Sequence, residues 1–131
     1  MTTARDLVQS ADWKKEKHVP VIEAADIIKK GEVLKVNIAA GKEIAHPNTT
    51  EHHIAWISVY FLAEGEKFPY QIARIEMLSH GASVQGPNTS GVYSQPSVDI
   101  RLKSEKSGSI IAISYCNIHG LWESAKKVIV E

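Results

Sequence analysis

An all-β sandwich is the fold class that this sequence predicts, and three observations predict it. Apolar and polar residues alternate along several short runs, most clearly at 33–38, 98–103 and 109–115. Those runs, with a longer one at 52–62, are rich in β-branched and aromatic side chains and are separated by turn-forming glycines, prolines and asparagines. No long stretch repeats its apolar residues with a helical period. At 131 residues the chain has the length of one domain, enough to bury a core without crosslinks.

Residues 4–13 read as one short helix or an irregular lead-in. The charged run from Lys14 to Pro20 follows, and Pro20 forces His18 and Val19 toward extended geometry. Residues 23–30 have helical composition, but Gly31 stops them after about two turns, so a helical turn inside a connection is expected. Residues 33–38 are the first clear strand, with Leu34, Val36 and Ile38 facing one way. A loop at 41–50 carries Gly41, His46-Pro47 and a polar Asn-Thr-Thr tract.

The run 52–62 reads as a strand with two largely apolar faces, one beginning His52, Ile54 and the other His53, Ala55. One face can cover the core while the other meets a second subunit. After a turn at 63–67, residues 70–79 read as the third long strand and 81–96 as a long loop. Residues 98–103 alternate again, 109–115 form a strand ending at Cys116, and 122–130 read as a last strand or a helical turn leading into one.

Bulk properties exclude several classes. Fifteen basic and fifteen acidic residues cancel, so neither nucleic acid nor a membrane surface is implied as a partner. The single cysteine makes no internal disulfide and gives no sign of an oxidising compartment. No apolar run approaches the ~20 residues of a membrane span, and residues 1–7 have no apolar signal-peptide core. A cytoplasmic location is expected.

The chemistry-bearing residues gather at strand ends. Cys116 closes a β-type run, and His119 follows three residues later. A strand ending in a soft thiolate donor, then a turn presenting an imidazole, is a common way to hold a transition metal. Of the six histidines, His18, His46, His52 and His119 fall in loops or at strand–loop junctions. His46 and His52 bracket one loop and can converge. His52 and His53 are adjacent, so strand geometry sends them to opposite faces and only one can join a site. His80 has no companion donor near it, and it reads, like His53, as structural.

Were the four imidazoles and the Cys116 thiolate to meet, five donors would exceed the four of structural zinc. Imidazoles with one thiolate suit iron or copper. A blue-copper site wants an axial methionine, and where it would lie the sequence reads Leu121-Trp122.

Three motifs resemble superoxide reductase of the neelaredoxin type: Glu16-Lys17-His18-Val19-Pro20, then His46-Pro47-Asn48-Thr49-Thr50-Glu51-His52-His53, then Cys116-Asn117-Ile118-His119-Gly120-Leu121-Trp122. The resemblance runs from about Trp13 to the C-terminus in the family's order. It implies an immunoglobulin-like β-sandwich of about seven strands and one iron ion per subunit. His18, His46, His52 and His119 would be planar ligands, with Cys116 as the axial thiolate. His53 falls at a non-ligand position of the family. Residues 1–131 would be a single neelaredoxin-like domain, without the N-terminal desulforedoxin domain of two-iron relatives, whose four cysteines this chain lacks.

The implied reaction is one-electron reduction of superoxide to hydrogen peroxide without dioxygen release, with rubredoxin or a similar small protein as electron donor. Glu16 resembles the family glutamate that occupies the sixth iron position in the oxidised enzyme. Lys17, beside His18, would attract the superoxide anion and order the water that supplies protons. The doubly apolar run 52–62 together with the resemblance predicts a homo-oligomer, a tetramer in many relatives. Iron-dependent dismutation at the same site and a mononuclear copper electron carrier are the alternative readings.

Overall fold

The computed structural model describes Met1–Glu131, and its order is one helical turn followed by eight strands. The helical turn, α1, is Ala4–Leu7. The strands are β1 (Pro20–Glu23), β2 (Ile27–Ile28), β3 (Leu34–Ala40), β4 (Ile54–Ala63), β5 (Tyr70–Glu76), β6 (Ser97–Leu102), β7 (Gly108–Cys116) and β8 (Gly120–Val130). Two sheets form, a three-stranded one in the order β1-β3-β6 and a five-stranded one in the order β2-β8-β7-β4-β5. All pairings are antiparallel except β2 with β8.

The alternation in β3 translates directly into burial. Leu34, Val36 and Ile38 are buried while Lys35 is exposed, and they meet Ile57, Val59 and Phe61 of β4 with Ile110 and Ala112 of β7 between the sheets. Ile38, Ile57 and Ala112 have no exposed surface, so truncating Ile57 to Ala would cost about 2–5 kcal/mol through lost burial and a cavity. β4 and β7 are the two central neighbours of the larger sheet, and Ser114 and Cys116 continue the inward face of β7 toward one end of the sandwich.

Three stretches differ from the expectations. Residues 23–30 contain no helical turn: Glu23 ends β1, and Ile27–Ile28 pair in parallel with Ile129 and Val130. Long-range ladder hydrogen bonds there outweigh a weak local helix preference. Pro20 is tolerated because it is the first residue of an edge strand. The second long strand begins at Ile54, so His52 and His53 lie in the bend before it. A register shift between Ile54 and Trp56 follows at once, the kind of irregularity that re-aims a strand end. The strand expected at 70–79 ends at Glu76, and the last segment is strand throughout.

Candidate metal centre

Cys116 is the last residue of β7, fully buried, and pairs across the turn with Gly120. Gly120 has φ +82, a conformation that side chains oppose and that lets the chain reverse within the three residues 117–119. The reversal points the peptide N–H of His119 at the cysteine sulfur, 3.4 Å away, and brings His119 Nδ1 to 3.9 Å from the same atom. Such N–H donation stabilises a thiolate.

His18 arrives from the extended segment before β1 and is buried. The hydroxyl of Ser114 donates to its carbonyl at 3.0 Å, fastening this segment to the inner face of β7. On the ring, Nδ1 lies 2.5 Å from Glu16 Oε1, which also accepts the His18 peptide N–H at 2.8 Å. Burial works against ionisation of Glu16, but these hydrogen bonds and the nearby imidazole outweigh it and hold the carboxyl below its ordinary range. A carboxylate there claims the Nδ1 proton, leaving the His18 Nε2 lone pair free. That nitrogen is 3.1 Å from His119 Nδ1.

The loop between β3 and β4 supplies the other two imidazoles. Gly41, at φ +76, has no room for a side chain, because a Cβ would collide with the backbone nitrogen of His46. His46 is buried and gives its Nδ1 proton to the Pro47 carbonyl at 2.6 Å, so its Nε2 presents a lone pair. The backbone N–H of His52 donates to Thr49 Oγ1 at 3.0 Å.

The four rings form a closed circuit. Centroids are 4.7 Å apart for His18 and His46, 4.8 Å for His46 and His52, 5.0 Å for His52 and His119, and 4.9 Å for His18 and His119. Across the circuit His18 and His52 stand 6.5 Å apart. Ligand atoms of His18, His52, Cys116 and His119 all lie within 4.8 Å of one another. His46 falls outside that tight group, yet its ring sits between those of His18 and His52.

The donors fit a thiophilic transition metal. Nε2 of His46 and Nε2 of His52 are buried without any hydrogen-bond partner, an arrangement that is costly unless something else satisfies them. Burial, reinforced by the neighbouring imidazoles and Lys17, pushes the pKa of His46 down to about 4 and that of His52 down as well. The neutral imidazole is the form that binds a metal. Four imidazoles and a thiolate exceed a closed tetrahedral set.

Lys17 is half-buried at the edge of this cluster. His53 and His80 lie outside it, stacked on each other with centroids 3.4 Å and planes 6° apart. Each is held by a carbonyl, His53 Nδ1 by Thr49 at 2.9 Å and His80 Nε2 by Met77 at 2.5 Å.

Two residues important to this geometry escape a reading of the sequence as candidate ligands. Trp122 stacks on His18 with centroids 4.8 Å and planes 13° apart, while its Nε1–H donates to the His119 carbonyl at 3.2 Å. The side chain of Asn117 joins the two ligand-bearing loops, its Oδ1 accepting from the His53 N–H and its Nδ2 donating to the Glu51 carbonyl, both at 2.9 Å. Alternation along β8 could have aimed Trp122 inward. Nothing local marks Asn117. Behind the second loop, Thr50 and Asn88 exchange two hydrogen bonds, tying it to the segment 80–94.

Residues 10–125 match the Desulfoferrodoxin family. The superoxide reductase of Pyrococcus furiosus is 57% identical over 119 residues, covering 91% of this chain and 94% of its own. Neelaredoxin of Megalodesulfovibrio gigas is 51% identical over 123 residues, covering 94% and 95%. Among solved structures, the reduced superoxide reductase (neelaredoxin) of Archaeoglobus fulgidus superposes with a TM-score of 0.88 at 58% identity, over 94% of this chain and 98% of that one.

Proposed function

This chain belongs to the desulfoferrodoxin family, and we propose that it is a one-iron superoxide reductase, converting superoxide to hydrogen peroxide without releasing dioxygen. The observation that carries the reading is the convergence of His18, His52, His119 and Cys116 donor atoms, with the unpartnered Nε2 of His46 alongside. These five residues would hold the metal. Iron bound there supplies a one-electron couple, and a thiolate ligand favours electron donation to what binds on the metal.

The remaining work falls to the chain. Each superoxide consumed requires one electron and two protons. Lys17 places a cation beside the histidine cluster, drawing in the substrate anion and holding the water through which protons arrive. Glu16 fixes the tautomer and direction of His18 through the 2.5 Å contact at Nδ1. The motif also implies a role for Glu16 toward the metal, and Oε2 is the carboxylate oxygen that the contacts to His18 leave over. The His119 N–H directed at Cys116 orients the sulfur and would share its charge when it binds the metal. Electrons come from rubredoxin or a comparable small carrier, and the enzyme works in the cytoplasm as a homo-oligomer, a tetramer by analogy with its relatives.

The test is metal analysis of the purified protein combined with stoichiometry. Iron near one equivalent, peroxide formed from superoxide only while donor is supplied, and no dioxygen evolved are the expected results. Dioxygen evolution at half the superoxide consumed would identify a dismutase instead.

A further inference from the structure

Residues 1–12 contain no buried side chain, the helical turn α1 included. The segment adds nothing to the core, yet it is tied to the sandwich at one place. Val8 leaves α1 in an extended conformation, and Gln9 then bridges Trp122 in parallel. The Gln9 N–H donates to the Leu121 carbonyl at 2.9 Å, and the Gln9 carbonyl accepts the Glu123 N–H at 2.8 Å. A parallel bridge bonds to the two residues flanking its partner, so the chain is held on either side of Trp122. The site end of β8 has no other strand on that edge. β7 pairs with one edge of β8 along residues 120–128, while β2 pairs with the other edge only at Ile129 and Val130.

The bridge also closes a loop. Gln9 is fastened to β8 around Trp122, and His18 is stacked on the ring of that same residue with centroids 4.8 Å apart. Between them the chain turns at Asp12, whose Oδ1 accepts the Lys14 N–H at 3.1 Å and whose carbonyl accepts the Lys15 N–H at 2.9 Å. It then presents Glu16 and Lys17. A loop pinned at both ends has less freedom than a free arm. Without the pin at Gln9, residues 10–17 become such an arm, and the uncovered edge of β8 around Trp122 opens more readily. The indole that lies on His18 and donates to the His119 carbonyl at 3.2 Å then loses its fixed direction.

We propose that Gln9 is a positioning residue of the metal centre that acts through its backbone: its bridge holds Trp122, and Trp122 in turn holds His18 and His119. The proposal rests on the metal-centre reading above and adds an N-terminal restraint on two of its ligands.

Two substitutions separate backbone from side chain. Gln9→Pro removes the N–H that reaches Leu121, and Gln9→Ala keeps both bonds. In the metal-free protein, exchange of the Trp122 indole N–H followed by NMR should be about 10-fold faster in Gln9→Pro, the scale of one lost hydrogen bond, and unchanged in Gln9→Ala. Chelator competition for iron(II) should show affinity about 10-fold lower in Gln9→Pro and unaltered in Gln9→Ala. Deleting residues 1–9 removes the bridge without a proline and should match Gln9→Pro. In a Trp122→Ala background, Gln9→Pro should cause no further loss of affinity. Unchanged exchange or unchanged affinity in both Gln9→Pro and the deletion overturns the proposal. So does a loss that persists undiminished without Trp122, or one that Gln9→Ala shares. A wild type that binds no iron overturns the metal-centre reading, whereas the indole exchange decides the hold of Gln9 on Trp122 in either case.

Discussion

The indole of Trp122 lies flat on the imidazole of His18, centroids 4.8 Å and planes 13° apart, while its N–H reaches the carbonyl of His119 at 3.2 Å. One side chain therefore orients two of the candidate ligands, one through its face and the other through its edge. Trp122→Ala removes both restraints, and groups that orient ligands typically govern about 10–100-fold in metal affinity. Chelator competition should register that loss. Trp122→Phe keeps a stacking face without the donor and should recover part of it; identical affinities for all three proteins would show that the stack orients nothing.

Glu16 acts on His18 from the other side. Glu16→Ala frees the Nδ1 proton that Oε1 holds at 2.5 Å and should lower metal affinity in the same ~10–100-fold range. Glu16→Gln retains an acceptor oxygen without the charge and should fall between. Crystal structures of the loaded variants would show whether the His18 ring rotates, and an unmoved ring with unchanged affinity would refute the positioning role.

The metal-free protein should lose stability in acid. His46 has its pKa lowered from 6.5 to about 4 in the fold, first by burial. Between those values the unfolded chain binds the proton and the folded one does not, so stability rises with pH across the window. The His46 contribution is complete above about 6.5 and is lost as pH falls through about 4. Thermal melts of metal-free protein across that range should show Tm falling, with a shallower slope in His46→Gln. Protons compete for the same lone pairs, so metal release should begin in the same window.

Asn117 is the clasp between the loops, and Asn117→Ala deletes both of its 2.9 Å side-chain hydrogen bonds. At about 0.5–1.5 kcal/mol for each bond lost, denaturant melts should show a destabilisation of order 1–3 kcal/mol. Asn117→Asp keeps the acceptor for His53 but not the donor for Glu51, so it should recover part of the loss.

Lys17→Ala should slow superoxide consumption by roughly 10-fold at low ionic strength and flatten its salt dependence, since local charge raises the on-rate of an anion. Pulse radiolysis across a salt series measures both. An unchanged rate and slope would assign Lys17 to the solvated surface.

The alternating runs by themselves determined that this chain builds paired sheets, because a period of two commits each residue of a strand to one face. Leu34, Val36 and Ile38 read as a buried face and are one. His52 and His53 also part, although they lie in the bend before β4 and not on the strand whose alternation predicted it, and the local pattern placed Cys116 at a strand end with His119 in the turn that follows. The tertiary structure alone decided what those residues meet. Residues 23–30 look helical in isolation and are drawn out by pairing with strands far along the chain, a ladder no local preference reports. The circuit His18–His46–His52–His119 closes only because the segment before β1, the loop before β4 and the turn before β8 reach one end of the sandwich. Trp122 on His18 and Asn117 between the loops are likewise products of packing. Sequence specifies donor type and local direction through bond geometry; which donors converge depends on contacts between residues about a hundred positions apart, such as Ser114 with His18.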